Sequence, residues 1–336
     1  MTQDRAMRLT PPRMLVLCLG LLSALALGGI AQAAAPTVVV SVKPIHDLVL
    51  GVTEGVTEPT LLVPGGASPH DYALRPSEMR ALQQAQLVIW VGPELENFLV
   101  RPLAGLGANV QHIALLKDAE LVRHPVREGG IWDSHDYGHG DHNHGHNHGH
   151  SHSNAHSHSA HGHDHAESDA HIWLSPENAR RIVVHVADVL ARLDPDNGVA
   201  YRTNRDQMLA RLDRLDEELR AQLAPVRDAP FIVFHDAYQY FEQHFSLTPA
   251  GSITVDPSRA PGARRIQEIR QRVSQSEAIC VFSEPQFRPA IVATVIEGTE
   301  ARTGELDPLG ADLPPGPQGY EQLLRNMARS LVECLS

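Results

Sequence analysis

Cysteine is scarce in this 336-residue chain, with three in all, and positive charge falls well short of negative. The formal net charge of −12 argues against nucleic acid, whose phosphates require a Lys/Arg surface, and it suits an acidic protein that attracts cations. The H-E-x-x-H pattern of helical zinc hydrolases is absent. Between residues 134 and 165 apolar side chains almost vanish, so that stretch cannot contribute to a core.

The N-terminus carries Arg5, Arg8 and Arg13, then an apolar run from Met14 to Ile30, then Ala31-Gln32-Ala33-Ala34-Ala35. This reads as a signal peptide over residues 1–33, with the mature protein starting near Ala34 in the periplasm. The alternative, a permanent anchor, is disfavoured by the A-x-A site directly after the apolar run. Cys18 stands behind Leu17 rather than a small residue, which argues against lipidation. Cys280 and Cys334 are then the cysteines of the mature chain, and an even pair in an oxidising compartment favours one disulfide. Two unpaired buried thiols are the alternative, since bridging depends on separation and direction.

From Thr37 onward, short β-branched runs alternate with amphipathic segments, which predicts parallel strands joined by helices. Strands are expected over Thr37 to Val42, Pro59 to Val63, Leu87 to Val91 and Ala108 to Ile113, with helices at Ile45 to Val52, Pro76 to Gln84 and Glu96 to Leu103. Ser175-Pro176-Glu177 opens a further helix with an N-cap, a proline and an early acid. Asp194-Pro195-Asp196-Asn197-Gly198 breaks it. A long charged helix follows from Val199 to Leu223, with Met208, Leu209, Leu212, Leu215 and Leu219 on one stripe. It is read either as a solvated surface helix or as a connector between lobes. A second series then runs through strands Phe231 to Phe234, Leu247 to Thr254, Ala278 to Ser283 and Arg302 to Leu306. Its helices are Ala237 to Phe245, Gly262 to Val273, Arg288 to Glu297 and Gln318 to Cys334. The fold class is α/β, with two lobes: residues 34–196, a linker helix 197–225, and residues 226–336.

In open α/β sheets ligands bind beyond the carboxyl ends of the strands, so polar residues just after strands are the candidates. Four segments qualify: Leu61 to Tyr72, which carries His70; Asp169-Ala170-His171; Phe231 to Tyr238, which carries His235; and Gly304 to Gly310, which carries Asp307. Three imidazoles and one oxygen compose a tetrahedral Zn²⁺ shell. His70, His171, His235 and Asp307 have that composition, although their spacing matches no local zinc motif. Asp236 is read as the N-cap of a helix beginning at Ala237.

These segments resemble the zinc-specific substrate-binding proteins of bacterial ABC transporters, the cluster A-I family that also holds manganese-binding relatives. The resemblance rests on Gly66-Ala67-Ser68-Pro69-His70-Asp71-Tyr72, Leu87 to Pro93, His171 to Pro176, Phe234 to Tyr238, Ser283 to Phe287 and Leu306 to Gly310. It implies two (β/α)₄ lobes joined by a rigid helix, with Zn²⁺ held between them by His70, His171 and His235. Manganese-type relatives carry a carboxylate where His235 stands, so the resemblance implies zinc. Some zinc members have Glu before the first histidine, where this chain has Pro69. The fourth ligand is then Asp307 or water. The implied partners are a membrane permease and its ATPase, the implied state is a monomer, and no catalysis is expected. Two other readings stay open. One is a zinc hydrolase using Glu284 or Asp307 as base, and the other is a zinc buffer or surface adhesin with no transporter behind it.

A histidine-rich insert is also typical of the zinc branch. Thirteen histidines lie between His135 and His165, and His139, His142, His144, His146, His148, His150 and His152 form its densest run. Such a stretch is expected to hold several zinc ions weakly. Deleting residues 135–165 should remove those weak ions, which the intact chain loses below about pH 6.5 as free imidazoles protonate. One tight site should remain in calorimetric titration; its disappearance would mean that the ligands lie in the insert.

Overall fold

The computed structural model describes residues 34–127, 132, 168–254, 257, 261–275, 278–287 and 290–336; the expected signal peptide and the histidines from His139 to His152 lie outside them. The first half contains strands β1 (Val38–Val42), β2 (Thr60–Val63), β3 (Leu87–Trp90) and β4 (Gln111–Ala114), with helices α1 (Lys43–Thr53), α2 (Pro76–Gln84), α3 (Asn97–Ala104) and the single-turn α4 (Leu115–Asp118). The strands pair in parallel in the order β2-β1-β3-β4. Every residue of the central Val-rich β1 is buried, as a parallel strand covered on both faces requires.

Two helices then cross the middle of the chain, α5 (Pro176–Leu193) and α6 (Gly198–Leu223). Ser175 caps α5 as expected, accepting the Asn178 N–H at 3.2 Å. At 26 residues, α6 is about 39 Å long. Its Met208, Leu212, Leu215 and Leu219 are buried, so the stripe packs, and it packs against α1 and α5. Gly51 of α1 sets the closeness of that approach: a Cβ there would fall 2.2 Å from the Met208 sulfur.

The second half repeats the plan with β5 (Phe231–His235), α7 (Gln239–Phe245), β6 (Pro249–Thr254), α8 (Ala263–Gln275), β7 (Cys280–Ser283), α9 (Ala290–Ile296), β8 (Arg302–Glu305) and α10 (Gly319–Leu335). The sheet order is β6-β5-β7-β8, again all parallel. Ile232, Phe234, Ile269, Val281 and Val295 fill one side of this sheet, where α8 and α9 pack. The other side joins a core that also contains Val40, Trp173 and Leu215, so residues 35–336 form one compact unit.

Polar ties reinforce that shared core. The Trp173 indole donates to the Pro308 carbonyl at 2.8 Å, and the Tyr320 hydroxyl donates to the Trp173 carbonyl at 2.7 Å. The buried Lys43–Asp47 pair, 2.6 Å apart, uses its other carboxylate oxygen to accept the Gly316 N–H. The C-terminal segment thereby docks on α1, and α10 packs against both α1 and α6.

Two local expectations need correction. Strand β4 starts at Gln111 rather than Ala108, because Val110 closes a turn onto the Gly107 carbonyl. Helix α7 starts at Gln239 with Tyr238 as its N-cap, and Asp236 caps nothing. Its carboxylate is taken by the Arg127 guanidinium, a stronger, charge-assisted partner than a backbone amide.

Cys280 at the start of β7 and Cys334 near the end of α10 are bridged, with Cα atoms 6.1 Å apart and a sequence separation of 54. A loop of that length is worth about 2–4 kcal/mol through restriction of the unfolded chain. Replacing both cysteines by alanine should lower the unfolding free energy by that amount in urea titrations; a difference below about 0.5 kcal/mol would show that the bridge adds nothing.

Candidate metal centre

The carboxyl ends of the two sheets deliver two imidazoles to one point, and the segment leading into α5 delivers a third. Strand β2 runs into the Pro64-Gly65-Gly66 loop that ends at His70, whose backbone N–H is held by the Ser68 hydroxyl at 3.3 Å. His235 is the last residue of β5. His171 sits where the chain enters a 3₁₀ turn over Ile172–Leu174, just before α5. Their ring centroids are 5.4, 5.6 and 5.1 Å apart, and one ligand nitrogen from each lies within 4.8 Å of the others. His171 and His235 are buried and His70 is half-buried.

Two of the rings are fixed by carboxylates. His171 Nδ1 is 2.7 Å from Asp169 Oδ1, which also accepts the His171 backbone N–H at 3.0 Å. His235 Nδ1 is 2.6 Å from Glu284 Oε1, which accepts the His235 backbone N–H at 3.2 Å. Carboxylates accept, so each Nδ1 carries a proton, and in the neutral ring each Nε2 then presents a lone pair. Those two Nε2 atoms face each other at 3.2 Å. Two lone pairs make no hydrogen bond, whereas two nitrogens bound at ~2.0 Å to one tetrahedral ion stand ~3.3 Å apart.

His70 completes the group without a carboxylate of its own. Burial, and then the nearby His171 and His235, hold its imidazole well below the usual histidine range, so the ring is neutral and able to donate to a metal at pH 7. The cavity bounded by these rings with Trp173, Phe287 and Pro308 measures about 10 Å³, room for a single ion or water.

Asp307 stands beside this group and is not one of its members. Its Oδ1 accepts the Leu309 and Gly310 N–H groups at 3.0 and 2.9 Å and the Gln286 amide at 2.9 Å, while Oδ2 accepts the Ala311 N–H. It closes the loop after β8. Asp169 and Glu284, by contrast, serve the site in a way the sequence reading did not assign. The signal available for Asp169 was its i,i+2 relation to His171, but nothing local ties Glu284 to His235, 49 residues away.

Residues 38–334 match the family model described as zinc-uptake complex component A, periplasmic. The high-affinity zinc uptake system protein ZnuA of Brucella suis is 49% identical over 305 residues, covering 89% of this chain and 91% of the relative. A crystal structure of ZnuA superimposes with a TM-score of 0.70 at 26% identity, covering 90% of this chain and all of that one. A ZnuA deletion mutant solved with zinc bound gives 0.68 at 25% identity, over 90% of this chain and 98% of that one.

The carboxylates behind the rings predict how the centre fails. Asp169→Ala and Glu284→Ala should each weaken divalent-metal binding by about 10- to 100-fold, the usual effect of losing an outer partner of a ligating histidine. Competition against a chromophoric chelator measures this; unchanged affinity in both variants would show that the ring orientations are set elsewhere.

Proposed function

Since the chain belongs to the periplasmic zinc-uptake component A family over residues 38–334, we propose that it captures Zn²⁺ in the periplasm and delivers it to an ABC-type zinc importer. The observation that carries this reading is the convergence of His70, His171 and His235, with the Nε2 atoms of the two rings that Asp169 and Glu284 hold only 3.2 Å apart. When both rings are neutral, a metal ion bound by both nitrogens makes that spacing favourable. Three neutral nitrogens suit Zn²⁺, whereas Mn²⁺ prefers an oxygen-rich shell.

In this reading His70, His171 and His235 are the ligands. Both Asp307 oxygens already accept backbone amides, which favours water in the fourth position. Residues 34–196 and 226–336 act as lobes joined by 197–225, and the ion is handed as a monomer's cargo to a membrane permease driven by its ATPase. The export signal is residues 1–33. A carrier needs the ion to enter and leave, and a site made of one half-buried and two buried rings offers His70 as the accessible side.

The hydrolase reading is disfavoured by geometry. Glu284 is committed to His235 and Asp307 to its own loop, which leaves neither placed as a general base. In calorimetric competition on protein lacking residues 135–165, Zn²⁺ should bind far more tightly than Mn²⁺, with one ion per chain. Parity between the two metals would overturn the assignment, as would retention of tight binding by His171→Ala.

A further inference from the structure

Behind the two buried histidines stand three acids, Asp169, Asp236 and Glu242, and one cation reaches two of them. Arg127 Nε donates to Asp236 Oδ2 at 3.0 Å and Nη2 to Oδ1, while Nη1 donates to Glu242 Oε2 at 2.7 Å. The Asp236 and Glu242 side chains are 4% and 2% exposed. Burial pushes Glu242 up to about 7 even though the Arg127 guanidinium pulls the other way, so a charge is costly at this place. The Trp132 ring covers the outer face of Arg127, 3.5 Å from the guanidinium carbon.

The same residue belongs to a closed neck of chain. Pro125 and Ser168 form an antiparallel bridge, Asp169 N–H donates to the His124 carbonyl at 2.8 Å, and the Tyr240 hydroxyl donates to the Asp169 carbonyl at 2.8 Å. The Gln239 amide, with its nitrogen turned inward, reaches Asp169 Oδ2 at 3.2 Å and the Pro125 carbonyl at 3.1 Å. Segment 124–127 therefore touches both ligand-bearing stretches: Asp236 follows His235 in the chain, and Asp169 holds the His171 ring. A planar fork that binds Asp236 through both oxygens fixes the direction of that carboxylate, and with it the peptide adjoining His235; an ammonium group would supply the charge without the direction.

We propose that Arg127 is a positioning residue of the zinc site, which holds His235 and His171 in register with each other by clamping Asp236 and Glu242 to the segment that packs on Asp169. The proposal rests on the carrier reading above and touches no metal ligand directly. It assigns to a residue outside the cavity the 3.2 Å spacing of the two Nε2 atoms, and hence the geometry offered to the ion.

The test uses the full mature chain with R127K, R127A and D236N. Zinc affinity is read by chelator competition, Co²⁺ coordination by its visible ligand-field absorption, and the apo fold by circular dichroism and thermal melting. R127K should stay folded, lose about tenfold or more in zinc affinity, and show a shifted, weaker Co²⁺ spectrum. D236N should do the same, and R127K combined with D236N should cost no more than either alone, because both remove one clamp. Should R127A fail to fold, R127K decides. An unchanged Co²⁺ spectrum and zinc affinity in R127K, with only its melting temperature lowered, would overturn the proposal by making Arg127 a stability residue. His171→Ala serves as the separate control: retained tight zinc binding there would sink the carrier reading itself, whatever Arg127 does.

Discussion

The hydrogen bond from each buried imidazole Nδ1 to a buried carboxylate is the constraint on which the centre depends. Asp169 and Glu284 hold a proton on Nδ1 of His171 and His235, and so turn the two Nε2 atoms toward each other at 3.2 Å. Without those acids the rings could rotate or exchange tautomers, and the same three histidines would be an ordinary polar cluster. With them, the neutral rings turn two ring nitrogens toward one another. The carboxylates also raise the basicity of the ligating nitrogens and place negative charge within a short distance of the cation.

Holding that arrangement requires both halves of the chain to be fixed. His70 comes from the first sheet, His235 from the second, and His171 from the segment between them. The shared core through Trp173 and Leu215, the ties from Trp173 to Pro308 and Tyr320, and the docking of Gly316 on Asp47 all resist relative displacement of the two sheets. The least restrained of the three rings is His70, on a Gly/Pro-rich loop and without a carboxylate partner. In the proposed carrier, two pinned rings and one on a loop would reconcile tight capture with eventual release.

Much of the fold was legible beforehand because its signals are local. Parallel strands read as β-branched runs, the stripe on α6 reads at helical spacing, and Ser175-Pro176-Glu177 announces a helix start in adjacent residues. The boundaries that moved did so for reasons outside that local code. Asp236 looks like an N-cap in sequence, yet a guanidinium more than a hundred residues earlier captures it. Asp307 looks like a ligand after a strand, yet the loop folds its own amides onto both oxygens.

Composition and order along the chain determined that this is an α/β protein of two similar halves, acidic, with His70, His171 and His235 placed after strands or before a helix, and with Cys280 and Cys334 as the cysteines that follow the N-terminal apolar run. Those properties follow from backbone periodicity and residue chemistry within a few neighbours. The sequence singled out these three histidines as one set, and only the tertiary structure shows their rings 5.1 to 5.6 Å apart, Asp169 and Glu284 bound to Nδ1 of His171 and His235, and Arg127 behind them. The physical reason is range: His171 and His235 are 64 residues apart and His235 and Glu284 are 49 apart. Such distances are closed by packing two sheets against a common core, and no pattern in neighbouring residues encodes them.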